Sequence, residues 1–345
     1  MSTIVAHHYP YGIGVDTHAA THTFAVLDNT GVRHDMQTIP TTAAGMRRAL
    51  AWAGRRTAGD LAALWVIGGI GSYGGQFAQA VETAGYTVVE AARMTKKSRN
   101  DVGKNDAIDA HRIASTVLSL TTGQLRKPRD NKGVQAALKT LLSARDVMGR
   151  ERTRAINALT ALLRTTDLGI DARRALSKRV ITQVAQWRTR QEALATATAR
   201  VEAIRLAKRV READQDLRDN DAQITELLKH TPAAGLTQET GVGPVSAATV
   251  LVAWGYHGRI RSEAAFAALA GASPLPASFG TTIRYRLNRG GDRKLNRALN
   301  VNAIHRMIHH QDTRDYVKKR LAQGKPIERY AEHSNDILRA DTTAI

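Results

Sequence analysis

Between Pro128 and Pro232 the chain has no proline and only three glycines, Gly133, Gly149 and Gly169. Proline and glycine are the residues most costly to a helix interior, so a stretch this long and nearly free of both is restricted to helix more tightly than any other part of the sequence. Apolar residues recur there at helical spacing: Leu138, Leu141, Leu142, Val147 and Met148, then Ile156, Leu159, Leu162 and Leu163. A second run carries Ala193, Ala197, Val201, Ile204 and Ala207 and continues to Leu217, Ile224, Leu227 and Leu228. The pattern predicts two long antiparallel helices broken near residues 166–171. They are either a plain helical bundle or a coiled coil that makes the protein a homo-oligomer, a dimer or a tetramer.

The whole chain has 345 residues, enough for two or three domains, and 43% of them are hydrophobic, which excludes general disorder. Lys and Arg number 50 against 31 Asp and Glu, a formal charge of +19. The excess is spread along the chain, net +5 over 1–129, +7 over 130–232 and +7 over 233–345. Such a charge points to a polyanionic partner, nucleic acid first. The absence of cysteine excludes disulfides, thiolate metal sites and cysteine nucleophiles. No apolar run is long enough to cross a membrane, and the first residues lack the pattern of a signal peptide. A soluble, cytoplasmic protein without a membrane partner is expected.

The first part alternates strand and helix. Strands are expected at 12–16, 21–27 and 32–39, joined by an Asp28-Asn29-Thr30-Gly31 turn into an antiparallel meander. A helix over 40–53, a buried strand over 61–67, a glycine-rich turn over 68–75, a helix over 76–84 and a strand over 86–90 follow. This is the element order of an α/β RNase H-like fold. Domain limits are read at 10–128, 129–232 and 233–325, with an atypical tail over 326–345.

Asp16 closes the first strand. Asp106 and Asp109 open a helix in Lys104-Asn105-Asp106-Ala107-Ile108-Asp109, where a spacing of three puts both carboxylates on one face. Divalent ions held by carboxylate oxygens would offset their repulsion and suit phosphodiester chemistry. The plainer alternative is that Asp106 caps the helix and Asp109 is solvated. His18, His22 and His111 lie near these motifs, but no paired spacing gives them a role.

In the last part, Gly241-Val242-Gly243-Pro244 precedes an alanine-rich helix over 245–254. The glycines suit either the hairpin of a helix-hairpin-helix, with backbone N–H groups facing a phosphate, or a simple helix N-cap. Further helices are expected over 262–270 and 293–309. Residues 281–297 carry Arg284, Arg286, Arg289, Arg293, Lys294 and Arg297 against one acid. Arg284 and Arg286 flank Tyr285 in an extended segment suited to phosphate contact, and Arg293, Lys294 and Arg297 are expected on one helix face.

Taken together, GIGVDTH, WVIGGIGSYG, GKNDAIDAHRIA, TGVGPVSAATVLVAWG, FAALAGASPLPASFGTT and LNRGGDRKLNRAL resemble the bacterial insertion-sequence transposases with a RuvC-like DEDD domain, relatives of the Piv-type DNA invertases. The resemblance runs from residue 12 to about 310, in the family's order. It implies an N-terminal RuvC-like (RNase H-like) domain, a helical coiled-coil connector and a mostly α C-terminal transposase domain. It also implies DNA as substrate and, since some members are guided by a bridge RNA, a structured guide RNA as partner. Four acids of the family bind divalent metal, Mg2+ or Mn2+, and a C-terminal serine attacks the DNA phosphodiester. The first, third and fourth acids map to Asp16, Asp106 and Asp109.

The chain departs from that pattern in three places. The family's glutamate position is Gly68, which offers no side-chain oxygen. The place of the nucleophilic serine, directly before a glycine, is Phe279, which leaves the adjacent Ser278 as the candidate catalytic serine beside Asp16, Asp106 and Asp109. The residues after Gly324-Lys325 carry little of the family's basic helix. The resemblance therefore implies either a recombinase of impaired activity or a relic that still binds nucleic acid. A RuvC-like nuclease working through Asp16, Asp106 and Asp109 alone is a third alternative.

Overall fold

The computed structural model describes residues 3–91, 106–128, 132–277, 284–286 and 288–324, the side chains of residues 106 and 107 excepted. The chain divides into two compact units, Met1–Arg129 and Asp130–Ile345.

The first unit is built on a five-stranded sheet. β1 (Tyr11–Thr17), β2 (Thr21–Asp28) and β3 (Arg33–Pro40) form the expected meander. Its tight turn is set by Asp28, whose Oδ1 accepts from Thr30 N at 2.9 Å and Val32 N at 3.0 Å. β4 (Leu64–Ile67) and β5 (Thr87–Glu90) then add parallel strands beside β1, in the order β3-β2-β1-β4-β5. β4 is shorter than the strand expected over 61–67. Asp60 accepts from Ala62 N at 2.8 Å and its carbonyl from Ala63 N at 3.2 Å, so a local turn takes the backbone groups that a longer strand would use.

Alternation along the strands produces two buried faces. On one, Ile13, Val15, Phe24, Val26, Trp65 and Ile67 pack against α2 (Ala43–Arg56) and α3 (Gly75–Thr83) through Trp52 and Phe77. α2 is capped by Thr42, whose hydroxyl accepts from Gly45 N at 3.1 Å. On the other, Ala25, Leu27, Leu64, Val66 and Val89 meet Ala110, Ile113, Ala114 and Val117 of α4 (Asp106–Leu118). A short α1 (Val5–His8), not foreseen from the sequence, adds the fully buried Val5 to that side. The result is a three-layer α/β unit, consistent with the RNase H-like expectation.

His22 lies in the first layer, 1% exposed, its ring against Phe24 and Phe77 and its Nδ1 3.1 Å from Thr21 O. Burial pushes its pKa down, and His18 adds to this more weakly. His111 on α4 is lowered too, first by burial and then by Arg33. For a depressed histidine the unfolded chain binds more protons between the folded pKa and about 6.5, so stability falls as pH falls through that window. Between pH 7.5 and 5.5 the full chain is expected to lose stability with a slope of up to about 1.4 kcal/mol per pH unit for each such histidine. His22→Phe should remove one histidine's share, read as a smaller pH shift of the urea midpoint.

The second unit is largely helical. α5 (Gly133–Thr165) and α7 (Leu194–Leu228) are the two long helices expected. The start of α5 meets the end of α7 through Leu138, Leu142, Ile224 and Leu228. Its end meets the start of α7 through Leu159, Leu163, Ala199 and Ala203, so the pair is antiparallel. Polar ties reinforce the register: Arg145 Nη1 donates to Leu217 O at 3.0 Å and Asn220 Nδ2 to Leu141 O at 3.1 Å. The break is wider than residues 166–171 and holds a further helix, α6 (Lys178–Ala185), capped by the Ser177 hydroxyl accepting from Val180 N at 3.3 Å.

Where the long pair ends, its apolar side chains share a core with α8 (Pro244–Trp254), α9 (Glu263–Ala270) and α10 (Arg293–His309), through Ala247, Leu251, Phe266, Leu295 and Leu299. Asp292 caps α10, accepting from Lys294 N at 2.9 Å and Leu295 N at 3.1 Å. α11 (Gln311–Ala322) follows, and a two-stranded ribbon, β6 (Leu275–Pro276) with β7 (Tyr285–Arg286), precedes α10. Among the described residues no helix is long and apolar enough to cross a membrane.

Candidate metal centre and nucleic-acid surfaces

β1 and β4 run parallel, with Val15 opposite Ile67, so Asp16 and Gly68 are the next residues on adjacent strand ends. Two hydrogen bonds lock the ends together: Gly68 N donates to Val15 O at 2.9 Å, and Thr17 Oγ1 donates to Gly68 O at 2.8 Å. Gly12, Gly14 and Asp16 alternate onto the face that α4 covers. A Cβ on Gly12 would lie 3.7 Å from Leu118 Cδ2 and 3.9 Å from Ala114 Cβ, whereas one on Gly14 would lie 2.0 Å from Ala110 O. α4 therefore runs antiparallel to β1, its last turn over Gly12 and its Ala110 turn over Gly14. One helical turn is about 5.4 Å and two strand residues about 6.6 Å, so the first turn of α4 comes level with Asp16. Asp106 and Asp109 belong to that first turn.

Asp16 is partly buried, its side chain 20% exposed, and its Oδ2 lies 3.1 Å from His18 Nε2. Asp109 is half-buried on α4. The side chain of Asp106 lies outside the described residues. Among the described residues no three His, Asp or Glu side chains are grouped closely enough to hold a metal ion.

Position 68 is tight but not closed to a side chain. Its Cβ would stand 3.2 Å from Ile113 Cδ1, the movable end of an α4 side chain, and 3.3 Å from Val15 O. A side chain there would leave the sheet on the same face as Asp16. Position 69 is different: Gly69 has φ +62°, and a Cβ would fall 2.8 Å from Thr17 Oγ1. A carboxylate could be added at 68 with small shifts, but at 69 only with backbone strain. His18 had no assigned role from the sequence. Its place two residues beyond Asp16, on the same side of an extended chain, was the available signal.

In the second unit the two hairpin glycines differ. Gly243 is the N-cap of α8, with Pro244 at the first helical position, and open space where a Cβ would stand. Gly241 has φ +90°, and its Cβ would fall 2.8 Å from Asn302 O on α10. Its glycine is required by packing on that helix. The buried Asn302 amide, turned so that its nitrogen donates, reaches Gly241 O and Ser246 Oγ, each at 2.9 Å, and ties the turn to α10.

Arg284, Arg286, Arg289, Arg293 and Arg297 are exposed, as is Tyr285, at 65%. The β6–β7 ribbon holds the first of them, Ala277 N donating to Arg284 O at 2.8 Å. Arg293 and Arg297 share a face of α10, one turn apart. Lys294, three residues before Arg297, lies at the edge of the same face. Its Nζ also reaches Asp146 Oδ2 on α5 at 2.6 Å, so its charge is partly engaged. Ser278 and Phe279 lie outside the described residues.

Residues 13–167 match an IS110-type DEDD family model described as a transposase, and residues 233–318 match the model of the IS116/IS110/IS902 transposase family. The chain is also similar to the "Insertion element IS110 uncharacterized 43.6 kDa protein" of Streptomyces coelicolor, 35% identical over 121 residues. That stretch covers 34% of this chain and 28% of the relative. The two models follow one another along the chain, the first beginning within β1, which carries Asp16, and running through α5, the second covering the hairpin glycines and the arginine series, and on this ground the chain belongs to the IS110 family of insertion-sequence transposases.

Proposed function

We propose that this chain is the DNA recombinase of an insertion sequence, guided by a structured RNA, and that its strand exchange is held low by Gly68 and Phe279. The observation that carries the reading is the meeting of Asp16 and Gly68 on adjacent strand ends, level with the first turn of α4. In an RNase H-like domain of the RuvC type, Asp16, Asp106 and Asp109 would hold Mg2+ or Mn2+. Such an ion supplies positive charge to a phosphodiester under attack. The chain's own residues do the positioning. Thr17 fixes the end of β1 to β4, and His18 orients the Asp16 carboxylate. Ser278 is the hydroxyl adjacent to the nucleophile's place. Phenylalanine at 279 leaves the expected place without a nucleophile.

DNA binding does not depend on that chemistry. It rests on a helix-hairpin-helix use of Gly243 at the open N-terminus of α8 and on the exposed arginines of 284–297. Reversing Arg284, Arg286, Arg289, Arg293 and Arg297 to glutamate should weaken binding at all sequences. It should also lower the salt slope by about 0.9 for each phosphate that is no longer neutralised. Unchanged affinity and slope would place the DNA elsewhere. The α5–α7 pair, a coiled coil in this reading, brings copies together once nucleic acid is bound. Sedimentation with and without DNA tests this, and a monomer in both would refute it.

The reading as a whole is tested by incubating the chain with Mg2+, DNA flanking its element and co-expressed RNA. A salt-sensitive complex with little covalent protein–DNA product supports it. Cleavage without any covalent product, dependent on Asp16, would instead indicate a nuclease.

A further inference from the structure

α6 lies against α7, and between them runs a groove of about 490 Å³ bordered by Lys178, Lys208, Arg211 and Arg218, with Ile181 and Thr182 at its base. It continues along α6, past Lys178 and Thr182 to Arg179, in a cleft of about 470 Å³. Lys208, Arg211 and Arg218 fall on one side of α7, and the ten residues from first to last span about 15 Å. One strand of duplex DNA carries a phosphate about every 3.4 Å of axis, so this run faces about four phosphates.

The charge of the groove is not balanced from within. Elsewhere along this helix charges are paired, Arg205 of α7 with Glu202 at 3.0 Å and Lys229, just past its end, with Glu226 at 2.6 Å. Lys178, Lys208 and Arg211 have no acid within ion-pair distance among the described residues. Arg218 donates to Gln215 Oε1 at 2.5 Å, which leaves its charge uncompensated. Of the two acids at the rim, Asp214 is engaged by Arg152 at 2.5 Å, so only Glu212 opposes the four cations. Like charges gathered without counter-charge are unfavourable unless a polyanion offsets them. No aromatic side chain lines the groove, so it offers no platform for unstacked bases and suits the backbone of a duplex.

We infer that the α6–α7 groove binds the phosphate backbone of duplex DNA, as a contact without sequence preference, separate from the arginines of 284–297. The choice of DNA rests on the transposase reading above. The groove itself rests on its unpaired cations.

The test uses the full chain and a short duplex DNA of arbitrary sequence. Lys178→Glu with Lys208→Glu and Arg211→Glu should weaken binding roughly tenfold or more and lower the salt slope by about 2.7. The corresponding triple glutamine variant should lower both by a smaller amount, and it stands in if the glutamates disturb folding. Glu212→Gln should tighten binding. Reversing Arg188, Arg190 and Lys229, which lie outside the groove, should change the slope far less. Unchanged affinity and slope in a folded triple variant would overturn the inference. So would equal weakening from the outside triple, or an effect seen with duplex RNA and not with DNA. If the unmodified chain binds no DNA at all, the transposase reading fails, and the groove loses its occupant with it.

Discussion

Gly68→Glu combined with Phe279→Ser is expected to raise strand transfer by roughly 10³-fold or more, equivalent to about 4 kcal/mol of barrier. The glutamate would enter at the end of β4 beside Asp16, on the face covered by α4. Part of the room comes from Ile113 Cδ1, 3.2 Å from the new Cβ, which a rotamer change can move, and the backbone must give by a few tenths of an ångström at Val15 O, 3.3 Å away. The fourth carboxylate would complete the oxygen ligands of a divalent ion. The serine would supply the hydroxyl that phenylalanine lacks. Neither change alone should do much, because a metal site without a nucleophile and a nucleophile without its metal site both stop short of transfer. Rates are read from product formation on element DNA, with binding measured on the same samples. Restored transfer by either single change would contradict the joint requirement.

Gly14→Ala is expected to destabilise the full chain by about 3 kcal/mol or more. The new methyl would lie 2.0 Å from Ala110 O, 2.8 Å from Ala114 N and 3.0 Å from Ala114 Cβ. Two of these are backbone atoms, so no rotamer change relieves the overlap and α4 must lift from β1. Lifting it would also carry the first turn of α4 away from Asp16. Gly149→Ala makes the contrast. Gly149 sits inside α5 with nothing within 4 Å of its Cβ, and alanine there should stabilise by about 0.5–1 kcal/mol. Urea midpoints of the two variants should move in opposite directions. Equal midpoints would mean that α4 is not seated on Gly14.

Much of this architecture was legible in the residues because it follows from local chemistry. The near absence of proline and glycine between Pro128 and Pro232 foretold α5 and α7, and the Asp28-Asn29-Thr30-Gly31 turn foretold the meander. The features that escaped depend on what the chain meets elsewhere. Nothing near Val5 announces α1, whose partners are Leu64, Val66 and Val117, far along the chain. Strand β4 is the local exception, shorter than its apolar run suggests because the Asp60 turn competes with strand pairing. The hairpin glycines read alike in sequence, yet Gly241 answers to α10, across 60 residues, and Gly243 to its own helix. Lys294 reads as one more arginine-series cation until Asp146 is found opposite it. The carboxylate motif was readable as three acids near an apolar strand. That Gly68 stands next to Asp16 needed the β1–β4 register.

The most direct measurement is a denaturing gel of the unmodified chain after incubation with Mg2+, flanking element DNA and co-expressed RNA, run beside a native shift of the same mixture. The account predicts a shifted, salt-sensitive complex and little or no covalent protein–DNA band, with a band emerging in the Gly68→Glu, Phe279→Ser protein. A strong covalent band from the unmodified chain that disappears in Ser278→Ala would contradict it, and would make Ser278 the nucleophile of a site that works with three carboxylates.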